Sequence, residues 1–145
     1  MNNKNYGYQE WRSAEEMRDY TKKWLSELDF ILDEENFMEN LLSEYFIELS
    51  SEMLYDETTK LVKRLTESKT RSKALKDKAL QHNNKLIVLL DDIDQPYEEQ
   101  EVKAQHRRLL KSTDAFFHDF REMKKNIFAV VVDIMKHDKQ KRLLN

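Results

Sequence analysis

Residues 102–134 read VKAQHRRLLKSTDAFFHDFREMKKNIFAVVVDI, and steps of three and four along them visit Val102, His106, Leu109, Thr113, Phe116, Phe120, Met123, Ile127, Val130 and Ile134. Eight of these ten positions are apolar. An α-helix places residues three and four apart on one face, so the pattern predicts a long amphipathic helix with one buried stripe. Working outward, two more stripes follow the same rule. Steps through Trp24, Leu28, Ile31, Glu35, Met38, Leu42, Tyr45 and Leu49 meet seven apolar or aromatic side chains in eight. Steps through Leu61, Leu65, Ser68, Ser72, Leu75, Ala79, His82, Leu86, Leu89 and Ile93 meet seven in ten. Three sustained heptad stripes predict coiled-coil-like helix packing.

The stripes belong to separate helices. Continuing the first past Leu49 lands on Glu52, Asp56, Thr59 and Lys63, all polar, and the second restarts at Leu61 out of phase. A turn is therefore expected near residues 55–58, with Asp56 or Thr58 as N-cap. Asp92, Asp94, Gln95 and Pro96 mark the second turn, with Pro96 suited to a first helical position. Ser13 and Glu16 form a capping box at the start of the first helix. Asp33, Glu34, Glu35 and Asn36 offer caps for an extra helix, but the heptad phase runs through Glu35 unshifted, so one continuous helix is expected. The fold class is all-α: an elongated, antiparallel, up-down-up bundle of three long helices over roughly 13–55, 58–93 and 97–140, the first about 64 Å long. Residues 1–12 are expected to be an irregular N-terminal segment and 13–145 a single helical-bundle domain.

Composition agrees. The chain has 145 residues, one glycine, one proline, no cysteine and 37% charged side chains. So little glycine disfavours hairpins and phosphate-cradling loops. The lack of cysteine excludes disulfides, thiolate zinc sites and cysteine nucleophiles. The longest apolar runs, 127–132 and 86–90, are too short to span a bilayer. Residues 1–9 are polar, without the apolar core of a secretory signal. A soluble, cytoplasmic chain is the expectation.

No Gly-rich phosphate loop, nucleophile elbow or His-Glu-x-x-His motif is present. A ferritin-type site needs a carboxylate three residues before a histidine; Ala79, Lys103, Ala115 and Ile134 stand there instead. The chain is therefore read as a non-enzyme. Three polar residues nevertheless occupy core-phase positions: Glu35, His82 and His106. With turns centred near residues 56 and 95, all three, and Thr113, fall within roughly 10 Å of helix rise. Two readings follow. One is a hydrogen-bonded polar layer that fixes helix register, needing no cofactor. The other is a divalent transition-metal site, zinc for example, with two imidazoles and a carboxylate as ligands. Ser68 and Ser72 leave room in the second stripe, which Tyr45 is expected to fill.

Charge is unevenly spread. Residues 1–56 carry 5 basic and 14 acidic side chains, whereas residues 60–78 carry 8 basic and 2 acidic ones. A basic stretch of this kind can bind phosphate, but hairpin geometry sets it beside Glu35, Glu39, Glu44, Glu48 and Glu52. Mutual neutralisation is the expectation, and nucleic acid is not the expected partner. The remaining signal is surplus apolar surface. Phe30, Phe37 and Leu41 flank the first stripe. Phe128, Val132 and Met135 lie at spacings of four and three on the outer face of the third, with Leu110 and Val131 also outside its stripe. A three-helix bundle does not need apolar residues there, so Phe30, Phe37, Leu41, Phe128, Val132 and Met135 are read as an interface. The expectation is a helical-bundle interaction or scaffold protein that self-associates as a homodimer, or docks another helical protein. The alternative is a small metal- or ligand-binding bundle built on the Glu/His layer.

Overall fold

The computed structural model describes residues 13–45, 47–48, 55–91 and 96–144. Three helices carry the architecture: α1 over Ala14–Glu44, α2 over Tyr55–Asp91 and α3 over Pro96–Leu144. Residues 1–12, and Asp92, Asp94 and Gln95 of the expected second turn, lie outside the described residues. Among the described residues there is no strand, and no helix is long and apolar enough to cross a membrane.

The helix starts follow local chemistry. Ser13, in an extended conformation, caps α1 by accepting a hydrogen bond from the Glu16 backbone N–H at 3.2 Å. Glu15 and Glu16 sit in that first turn, where acidic groups suit the positive end of the helix dipole. Pro96 opens α3, and Lys141 and Arg142 suit the dipole at its other end. α1 runs unbroken through Asp33–Asn36.

The first hairpin differs from expectation. α1 ends at Glu44, with Tyr45 as its C-cap, and not near residue 55. α2 begins at Tyr55, so Asp56 and Thr58 lie inside its first turn and do not cap it. The cross-helix partners Asp29–Lys76, Glu35–Ser72 and Glu39–Lys69 place the centre of this hairpin a few residues closer to the N-terminus than the sequence suggests. That shift changes which residues of α1 and α2 stand level.

The cross-helix bonds fix direction. Going up α1, Asp29, Glu35 and Glu39 meet Lys76, Ser72 and Lys69, in descending order on α2. Going up α2, Arg71, His82 and Lys85 meet Asp119, His106 and Gln105, descending on α3. Each neighbouring pair is therefore antiparallel, and α1 and α3 run parallel to each other.

The stripes form the core. Leu28, Ile31, Met38, Leu61, Leu65, Phe116, Phe120, Met123 and Ile127 belong to one buried cluster. Met17, Trp24, Leu86, Val102, Leu109 and Leu110 form a second. Two residues expected outside, Leu110 and Val131, are buried. A straight helix drifts about 20° per heptad relative to a strict seven-residue repeat. After four heptads of α3 the inward position has moved on by one residue. Val131 is then buried while Val130 is only partly so.

Candidate functional site

The corrected hairpin divides the expected polar layer in two. Glu35 is fully buried between α1 and α2. Ser68 and Ser72 of α2 donate their hydroxyls to its two carboxylate oxygens at 2.5 and 2.7 Å. They lie one turn apart on the α2 face that meets α1, so each reaches one oxygen. Ser72 also bonds the Lys69 carbonyl at 3.0 Å. Burial pushes the Glu35 carboxyl above its usual range, while the two serines and the Lys69 and Lys73 charges oppose that shift. The space beside the two serines is thus filled by Glu35 and not by Tyr45. Tyr45 is half-buried against the main core cluster.

The histidines do meet. His82 of α2 and His106 of α3 are both fully buried. The Nε2 atom of His82 lies 2.8 Å from the Nδ1 atom of His106. Trp24 of α1 stacks on the His106 ring, with centroids 4.8 Å apart, and the two imidazoles are 5.0 Å apart. Tyr20 approaches His106 edge-on at 6.4 Å. Burial lowers His82 to about 4, with Lys85 acting the same way and Gln105 opposing. Burial, then the neighbouring His82, lowers His106 to about 3. Both rings are neutral at pH 7, one donating and the other accepting the shared hydrogen bond.

Glu35 does not join this pair. Ten residues of α2 separate Ser72 from His82, a rise of about 15 Å. Among the described residues, no group of three or more histidines, cysteines or carboxylates stands close enough to hold a metal ion. Glu35, His82 and His106 therefore do not stand in one layer: Glu35 sits with Ser68 and Ser72, and the two histidines sit with each other. Thr113, expected in the same zone, bonds the Leu109 and Leu110 carbonyls of its own helix. Sequence reasoning missed the Trp24 stack and the serine partners of Glu35. Both follow once the first hairpin is centred earlier.

The charged face of α2 is engaged by its neighbours. Lys69 pairs with Glu39, Lys76 with Asp29 and Arg71 with Asp119, at 2.8, 2.6 and 2.9 Å. Neutralising acids come from both α1 and α3.

The six interface candidates gather on one side, where α1 and α3 come together. Phe37 and Phe128 face each other across the two helices, with centroids 6.4 Å apart. Phe30 and Phe37 are 65% and 56% exposed, and Val132 and Met135 are 42% and 50% exposed. Leu41 and Phe128 are half-buried against the core and form the base of the patch. Lys124 of α3 forms a salt bridge with Glu34 of α1 beside them. α1 and α3 touch each other far less than each touches α2. A groove of about 370 Å³ remains between them, lined by Phe30, Glu34, Phe117, Arg121 and Lys124 among others. No family model, curated protein or solved structure matches the chain.

Proposed function

We propose that this chain is a non-enzymatic helical-bundle interaction protein, a scaffold that self-associates through the face shared by α1 and α3. The supporting observation is the Phe37–Phe128 contact, set in a patch where Phe30, Val132 and Met135 stand open to solvent. Large apolar side chains from two helices, grouped on one side, carry a hydrophobic cost that a partner's surface removes. The two buried polar groups serve the scaffold. A carboxylate needing two hydroxyls, and a histidine needing another histidine, penalise every other helix register. Light scattering over a concentration series tests the reading. The expected mass rises above the 17.6 kDa of one chain, and a constant 17.6 kDa at every concentration rejects it.

The alternative, a small metal- or ligand-binding bundle, keeps one supporting observation: two imidazole nitrogens 2.8 Å apart. It requires that zinc raise the melting temperature of the unsubstituted chain by mass action and that His82→Leu abolish the rise.

A further inference from the structure

α1 and α3 run parallel, so their exposed edges can be compared level by level. The Glu34–Lys124 bridge joins positions 90 residues apart, and the Phe37–Phe128 contact keeps almost the same step. Applied along both helices, that step sets Lys23 level with Asp114 and Phe30 level with Arg121. Lys23, Phe30 and Phe37 recur every seven residues on α1, as Asp114, Arg121 and Phe128 do on α3, so each set forms one row along its helix. Of these six, Phe128 is half-buried and the other five are exposed. At each level the two rows carry complementary chemistry: cation opposite anion at Lys23 and Asp114, aromatic opposite cation at Phe30 and Arg121, aromatic opposite aromatic at Phe37 and Phe128.

A face built this way is complementary to itself under one operation. A two-fold axis lying in the face and parallel to the helices sets α1 of one copy against α3 of the other, running in the same direction at the same level. A two-fold perpendicular to the helices sets α1 against α1 in opposite directions, and the levels then agree at one point only. We propose that the occupant of this face is a second copy of the same chain, related by a two-fold axis parallel to the helices. In that dimer Lys23 meets the partner's Asp114, while the Glu34–Lys124 bridge and the Phe37–Phe128 contact that each chain makes internally lie against the same features of the other copy. An isologous contact uses each such pair twice. The α1 and α3 helices of both copies then enclose a shared four-helix layer, and the groove beside Phe30 is filled. This arrangement rests on the self-association proposed above and adds to it which helix meets which.

The natural chain has no cysteine, so one introduced thiol has no internal partner. Lys23→Cys and Asp114→Cys are both at exposed positions, and these substitutions spare the core and the aromatic patch. The two variants are mixed at a concentration where the unsubstituted chain is dimeric, oxidised, and run unreduced on a denaturing gel, with a tag on one to identify the mixed product. The expected result is a mixed disulfide dimer several-fold more abundant than either self-linked product. A dimeric chain that yields no excess of mixed product overturns the parallel arrangement while leaving self-association in place. An unsubstituted chain that stays monomeric at all concentrations overturns both. As a second measurement, Lys23→Glu and Asp114→Lys are each expected to weaken assembly alone and to restore it when mixed, because each lysine then faces a partner carboxylate. Failure of the mixture to recover counts against the pairing.

Discussion

Ser72 donates its hydroxyl to Glu35 across the α1–α2 boundary at 2.7 Å, at a level where neither side chain touches solvent. With Ser68 on the other oxygen, the carboxylate has a hydroxyl donor on each side. Removing one donor leaves a buried oxygen short of a partner, which costs about 1–3 kcal/mol. Ser72→Ala is therefore expected to lower the melting temperature by several degrees. Chemical denaturation showing a loss below about 0.3 kcal/mol would remove this bond from the list of forces that hold the register.

Glu35 and His82 stand roughly 15 Å apart along the bundle, too far to share a hydrogen bond. Their substitutions should then act independently. Glu35→Leu and His82→Leu are each expected to destabilise, and the double variant to show the two losses combined within about 0.5 kcal/mol. Recovery of stability in the double variant would mean that the two side chains are partners.

The histidine pair sets the acid response. Folding lowers His82 to about 4 and His106 to about 3, from an ordinary value of 6.5. The unfolded chain therefore takes up protons that the folded chain refuses. The stability held by the neutral pair is complete above pH 6.5 and drains away as pH falls toward 4 and then 3. Near pH 5 two such groups give a slope on the order of 3 kcal/mol per pH unit. Glu35, shifted upward by burial, works in the other direction. Its contribution is complete below the ordinary carboxylate value and is lost as pH rises through its folded value. Over the range where Glu35 keeps its proton only when folded, it offsets at most one of the two histidine protons. Denaturation midpoints from pH 7 to 4.5 should fall, and His82→Gln with His106→Gln should flatten the curve. An unchanged slope in that variant would place the acid sensitivity elsewhere.

The fold and the sites were unequally legible in the sequence, and the turns explain why. The stripes are visible because apolar residues recur with the helix period, and the buried residues of α1 and α2 follow them. The second turn carries Asp92, Asp94 and Pro96, and a level taken from it brings His82 to His106, as found. The first connection has neither glycine nor proline. Apolar and aromatic residues continue through Tyr45 and Leu49, so nothing in the pattern announces that α1 ends at Glu44. An error of a few residues in that centre moved the level of Glu35 on α2 from Ser72 toward His82, and so merged two polar groups into one. The serines were visible as small residues in a stripe, but their partner depended on that same level. The inward turn of Val131 was hidden for another reason: helix drift accumulates too slowly to show within a single heptad.

The exposed aromatic face separates assembly from folding. Phe30 is mostly in solvent, so Phe30→Ser should change the stability of dilute protein by no more than about 0.5 kcal/mol. At high concentration the same variant should associate more weakly than the unsubstituted chain. A large loss of stability in dilute solution would instead assign Phe30 to the fold.

The most direct measurement is sedimentation equilibrium of the unsubstituted chain beside a Val132→Glu, Met135→Lys double variant, over the same concentrations. The account predicts a mass moving from 17.6 kDa toward twice that value for the unsubstituted chain, and a mass fixed at the lower value for the variant, with equal helix content by circular dichroism. An unsubstituted chain that stays at 17.6 kDa throughout, or a variant that associates equally well, would contradict it.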